Sequence, residues 1–130
     1  MTRRVRAMLG ALRLEDSELS ILLTSDARIK KLNSVYRKMN RPTDVLSFSQ
    51  REGAMGHRAG WLLGDIVVSI PTARRQADAR GCDLASELTM LLAHGLLHLV
   101  GWDHDTPAKD RRMRKETERL CAAARTAQKR

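Results

Sequence analysis

Three of the chain's four histidines fall within eleven residues, His94-Gly95-Leu96-Leu97-His98-Leu99-Val100-Gly101-Trp102-Asp103-His104. No other stretch limits the fold as strongly. His94 and His98 are one helical turn apart, so on a helix both imidazoles leave the same face. Gly101 follows at a point where a helix can stop by letting glycine adopt a left-handed conformation. The chain can then turn back and bring His104 to the same place. A lone histidine among leucines is usually a core residue, and one i,i+4 pair can arise by chance. Three at these offsets, with a glycine at the turn, describe a metal site. Three neutral imidazoles with an open fourth position are the donor set of a catalytic zinc centre rather than a closed structural one.

The spacing matches the long pattern of zinc proteases, H-E-x-x-H-x-x-G-x-x-H, at all three histidines and the glycine. Gly95 stands where those enzymes keep their general-base glutamate. Without a group to take the water's proton, ordinary peptide hydrolysis is disfavoured. A tris-imidazole zinc centre needs no such base, because the cation itself makes a bound water acidic near neutral pH and polarises a phosphoryl oxygen.

The length of 130 residues suits a single domain spanning 1–130. The chain carries 24 Lys and Arg against 15 Asp and Glu, a net charge of +9, which favours polyanionic partners, nucleic acid first. Part of the excess lies in Arg3-Arg4-Val5-Arg6 and Arg111-Arg112-Met113-Arg114-Lys115, which are read as solvated helix faces. Aromatic residues make up only 3% of the chain, which argues against a base-stacking sheet of the RNA-recognition type. Cys82 and Cys121 form no CxxC and are read as reduced thiols of a cytoplasmic protein. The most apolar stretch, Leu88 to Trp102, is too short to span a bilayer, and no export signal is expected.

Val5, Met8, Leu9 and Leu12 predict a helix over 3–12. Leu19 to Thr24 reads as a strand. Ser25 or Asp26 can cap a helix burying Ile29, Leu32 and Tyr36. Lys38 to Thr43 reads as a loop, Asp44 to Ser49 as a strand, and Arg51 to Gly60, with three glycines, as irregular. A strand over Leu62 to Ile70 is expected to be interrupted at Gly64-Asp65. Pro71 opens a helix to about Arg80, and Gly81-Cys82-Asp83 separates it from the apolar helix Leu84 to Val100. A last basic helix runs to about Ala124, and the Lys129-Arg130 end is expected to fray. This order gives an α+β domain with a small mixed sheet packed against several helices. The metal site sits at the C-terminal end of the central helix.

Other titratable residues have weaker claims. Asp103 could orient His104 or another ligand, or could simply form the turn. Asp44 and Asp65 read as structural, the first at a strand start and the second in a Gly-Asp bend. Glu87, two turns from His94, is too far to be a ligand. His57, in the glycine-rich loop, reads as a surface residue, and Cys82 as an unneeded fourth ligand.

Three segments together resemble the YbeY family of bacterial metal-dependent endoribonucleases. The first matches H-G-x-L-H-L-x-G-[YW]-D-H from His94 to His104. The second is Leu32-Asn33-Ser34-Val35-Tyr36-Arg37 followed by Pro42-Thr43-Asp44-Val45-Leu46-Ser47-Phe48. The third is Leu63-Gly64-Asp65-Ile66, followed by a helix with Gln76-Ala77. Trp102 replaces the commoner Tyr, and Ser49 replaces the usual Pro. The N-terminal part is short against the family pattern, so the family's first strand is expected to be reduced or absent. The resemblance covers about residues 15 to 120.

It implies a zinc-bearing, single-strand-directed endoribonuclease acting in ribosomal RNA maturation (the 16S rRNA 3′ end) and in ribosome quality control. Partners would be ribosomal RNA and the ribosome or its associated proteins, with no membrane. By the same carry-over His94, His98 and His104 would hold one zinc ion. Arg37 matches the arginine of the family's Tyr-Arg pair and would serve activity. A guanidinium can hold two phosphate oxygens at once, so Arg37 is expected to clamp the phosphate rather than stand as a plain helix-terminal arginine. The competing readings are a zinc metallopeptidase, a non-catalytic ribosome-assembly factor with structural zinc, and a general RNA-binding module.

Overall fold

The computed structural model describes residues 1–38, 43–49 and 62–128, the side chains of Arg37, Leu62 and Gln128 excepted. Its elements are α1 (Thr2–Ala11), β1 (Glu18–Thr24), α2 (Asp26–Arg37), β2 (Val45–Ser49), β3 (Leu62–Ser69), α3 (Ile70–Arg80), α4 (Leu84–Leu99) and α5 (Pro107–Gln128). This is the α+β order read from the sequence. The readings of His57, of the Arg51–Gly60 loop and of the Lys129-Arg130 end fall outside the described residues.

The three strands form a mixed sheet in the order β1-β3-β2, with β1 parallel and β2 antiparallel to the central β3. The expected interruption at Gly64-Asp65 does not occur. The strand runs through, and the pairing with β1 absorbs one extra residue between Leu62 and Gly64, a bulge. Gly64 has φ +145°, and a Cβ there would lie 2.1 Å from the Phe48 carbonyl oxygen, so only glycine lets β2 approach this closely.

Period-two alternation splits β3 between two cores. Ile66 and Val68 face α4, α1 and α5, in a cluster with Met8, Leu92, Leu96, Leu97 and Leu120. Val67 faces the other way, onto Ile29 of α2 and Leu46 of β2. α4 is apolar and buried through its middle except along one stripe, Ser86, Met90, His94 and His98, which stays partly open. Asp83 caps it by accepting from the Ser86 N–H at 2.8 Å, and Gly81 (φ +69°) ends α3 just before.

Two expectations need correction. Tyr36 is not on the buried face of α2. It is 65% exposed and meets Phe48 edge-on, with ring centroids 5.3 Å apart. Ile29 and Asn33, one turn apart, make the buried stripe, because α2 covers a narrow sheet and its last turn overhangs it. The N-terminal arginines are not all solvated either. Arg4 donates to Thr89 Oγ1 at 2.7 Å and to the Ala85 carbonyl at 3.4 Å, tying α1 to α4. α5 also runs past Ala124 to Gln128.

On the α2 side, polar bonds supplement the thin core. The Asp26 carboxylate accepts from the hydroxyls of Ser69 and Thr72 and from Arg75, joining the first turns of α2 and α3. These bonds hold its pKa at about 2 against an ordinary 3.8.

Candidate metal centre

The end of α4 sets the site. The Trp102 N–H donates to the Leu97 carbonyl at 2.9 Å and the Gly101 N–H to the His98 carbonyl at 3.1 Å. Gly101 has φ +98°, so this is the glycine-terminated helix end the spacing predicts. His104 is thereby returned toward the last two turns of α4. Its ring centroid lies 5.8 Å from that of His94 and 5.4 Å from that of His98, while the first two rings are 4.6 Å apart.

Each of the three histidines offers a ring nitrogen, and these nitrogens lie within 4.8 Å of one another. The two Nε2 atoms of His94 and His98 are 3.1 Å apart. Tetrahedral zinc with Zn–N bonds of about 2.05 Å requires nitrogens roughly 3.3 Å apart, so this pair is already near ligating separation. Two lone pairs facing each other at that distance call for a proton or a cation between them. Burial, reinforced by the charges of His98 and His104, pushes the His94 pKa below its ordinary 6.5. The neutral imidazole is the ligand form, so the residues fit a divalent cation.

The remaining direction opens on a cavity of about 310 Å³ between β2 and the end of α4, lined by Asp44, Val45, Ser47, Ser49, His94, His98 and Leu99. Val45, Ser47 and Ser49 are alternate residues of β2 and share a face. The sequence reading gave the two serines no part in the site, although the period of two could have found it. The Ser47 hydroxyl donates to the Gly95 carbonyl at 3.1 Å. A Cβ on Gly95 would stand 3.0 Å from Ile66 Cγ2 and 3.1 Å from Ser47 Oγ. The sheet therefore crowds any side chain here, and the glutamate that zinc proteases carry at this position would need Ile66 and Ser47 to give by a few tenths of an ångström.

The other candidates sort themselves. Asp103 accepts from the Asp105 N–H at 2.9 Å, which is the turn-forming alternative, and this bond lowers its pKa. Asp44 accepts from the Val45 N–H at 2.8 Å and from Gln76 Nε2 at 3.3 Å, the expected structural work at a strand start, yet it also borders the histidine cavity. Asp65 lies within β3, opposite Ser20 and Phe48. Glu87 is buried and paired with Arg80 at 3.5 Å, away from ligand duty. Cys82 stands 3.8 Å from Glu87 and outside the histidine group. Its desolvation, with the Glu87 charge next, raises the thiol pKa. Both cysteines are free thiols. The backbone of Arg37 closes α2 upstream of Asp44, and its side chain lies outside the described atoms. Among the described residues no helix is long and apolar enough to cross a membrane.

Fold and site together define an α+β domain built around a three-imidazole cluster fit for a metal ion. Residues 2–125 match the family model for endoribonuclease YbeY, and the chain belongs to that family. Endoribonuclease YbeY of a Synechococcus species is 47% identical over 114 residues, covering 84% of this chain and 70% of the relative. That of Anaeromyxobacter dehalogenans is 48% identical over 120 residues, covering 92% of this chain and 61% of the relative. This chain thus spans roughly two thirds of the length of these relatives. A solution structure of a Thermotoga maritima protein shares the fold, with a TM-score of 0.67 at 24% identity over 95% of this chain and 77% of that one. The named members are hydrolytic nucleases that cut RNA internally.

Proposed function

We propose that this chain is a single-strand-directed, metal-dependent endoribonuclease that matures ribosomal RNA at the 16S 3′ end and serves ribosome quality control. The observation that carries the reading is the convergence of His94, His98 and His104 on one point, beside a cavity open to solvent. Family membership makes RNA the substrate class. Zinc is the cation that three imidazoles with an open position suit best, and it supplies Lewis acidity toward water and the phosphoryl oxygen.

The chain's own residues supply the rest. His94 stays neutral through burial and so keeps its lone pair for the cation. Gly101 fixes the return of His104. Arg37 holds the nonbridging oxygens as negative charge builds on them, as a planar guanidinium can. Asp103 supports His104 by shaping the turn that carries it. Ribosomal RNA or ribosome-associated proteins in the cytoplasm are the partners this reading expects, and the basic face of α5 (Arg111, Arg112, Lys115) suits them. A peptidase role is disfavoured by glycine at position 95, where a general-base glutamate would stand.

Elemental analysis and single-stranded RNA cleavage, run on the same samples of wild type and His98→Ala, test the reading. About one zinc per chain in wild type, lost together with cleavage in the variant, is expected. A wild type that binds zinc but cuts no RNA would count against it and favour an assembly role. Arg37→Ala is expected to keep the metal and lose most cleavage, and full cleavage would remove the clamp.

A further inference from the structure

The turn that carries His104 also builds a second cavity. It measures about 280 Å³, shares no lining residue with the histidine cavity, and is bounded by Trp102, Asp103, Lys109 and Arg112 beside Val100 and Gly101. Trp102 is half-buried, its body packed against the main core and the rest facing this space. Of the two acids nearby, Asp103 is engaged by the Asp105 N–H at 2.9 Å and Asp105 by Lys109 at 3.4 Å. Arg112 has no ion-pair partner among the described residues. The same holds for the exposed Arg111, its neighbour in the chain, and for the exposed Lys115, one turn further along α5. An indole is thus set beside the guanidinium of Arg112, two residues along the chain from His104 of the proposed metal centre.

We propose that this cavity is a nucleotide subsite for single-stranded RNA, holding a nucleotide that flanks the bond to be cut. The inference rests on the endoribonuclease reading and assigns its substrate a second point of attachment. The base stacks on Trp102, which accepts any base because every base has a π-face. Arg112 grips the adjoining phosphate, with Lys109 contributing charge. Duplex RNA keeps its bases in the stack and cannot offer one to the indole, so the subsite also accounts for a single-strand preference. A low aromatic content rules out a stacking sheet, but a single stacking residue next to the site is enough here.

The test is binding of a fluorescein-labelled oligoadenylate of about eight nucleotides to the full chain, followed by anisotropy. A chelator is present so that no strand is cut. Trp102→Leu keeps an apolar body and removes the π-face, and Trp102→Tyr restores it. Circular dichroism melting checks that each variant is folded. We expect Trp102→Leu to weaken binding about tenfold and Trp102→Tyr to stay near wild type. Arg112→Gln should weaken it by a similar factor and reduce the salt dependence by about one unit of slope. In a Trp61→Phe background, the emission of Trp102 should be quenched as RNA is added. Folded Leu and Gln variants that bind like wild type, while wild type cuts RNA, would overturn the subsite alone. A Tyr variant as weak as the Leu variant would also overturn it, since no π-face is then at work. Wild type that neither binds nor cuts RNA would overturn the functional reading and the subsite with it.

Discussion

The two faces of the sheet are held in different ways. On one, Ile66 and Val68 sink into the layer of α1, α4 and α5, with Leu96, Leu97 and Leu120 fully buried around them. On the other, Val67 packs in a small cluster with Ile29 of α2 and Leu46 of β2, while Val35 and Tyr36 are exposed. That thin face leans on the Asp26 bonds to Ser69, Thr72 and Arg75. All three histidines belong to the dense face or to the turn that leaves it, whereas Arg37 ends the helix on the thin one. Metal ligands must be held to a few tenths of an ångström, and packing supplies that rigidity. A group that grips a mobile substrate has no such need.

The contrast can be broken from the dense side first. Gly95→Glu, which restores the zinc-protease pattern, should destabilise the fold by about 3 kcal/mol in urea titration, because Ile66 and Ser47 must both shift to admit the side chain. A variant as stable as wild type would show that α4 is not tightly seated. Ile29→Ala tests the thin face. Ile29 is fully buried, but its cluster is small and can collapse, so a loss of about 2 kcal/mol is expected, the low end for such a truncation. A larger loss would erase the difference between the faces.

Gly101→Ala strains the turn at φ +98° and should cost about 1–2 kcal/mol. Its sharper signature is a weaker hold on zinc with α4 intact, measured by competition with a chromophoric chelator alongside helix content.

Two pH effects come next. The His94 pKa is lowered in the folded chain, so its neutral form contributes stability that is present above the ordinary 6.5 and lost as pH falls below it. Metal should be released over the same acid range as protons displace it, and chelator competition against pH reads this directly. Asp26, lowered to about 2, contributes stability that is present above its ordinary 3.8 and lost as pH falls from there toward 2. Thermal melts across that window should show a smaller acid loss for Asp26→Asn than for wild type. An unchanged acid loss would mean that the network does not stabilise the thin face.

Much of this was legible beforehand because it is local. The i,i+4 histidines, the break at Gly81-Cys82-Asp83, Pro71 in the first turn of α3 and the glycine end of α4 each depend on a few neighbours in the chain. The order of elements followed from the same periodicities. Gly64 misled the reading for an equally physical reason. A glycine within a strand pattern can mark either a break or a bulge, and the choice rests on how closely Phe48 of a different strand approaches. Tyr36 has the right helical offset for burial and is exposed only because the sheet beneath α2 is narrow. Ser47 and Ser49 offer no metal-ligand spacing and become part of the site because their strand passes beside α4.

By itself, then, the sequence determined that His94, His98 and His104 would converge, since helix pitch and the φ freedom of glycine are properties of the local chain. Tertiary structure decided what surrounds them: the β2 serines at the open side, the close packing of Ile66 and Ser47 on Gly95, and Trp102 beside Arg112. Those depend on contacts between segments distant in sequence, which are set by packing the whole core at once and not by any short run of residues.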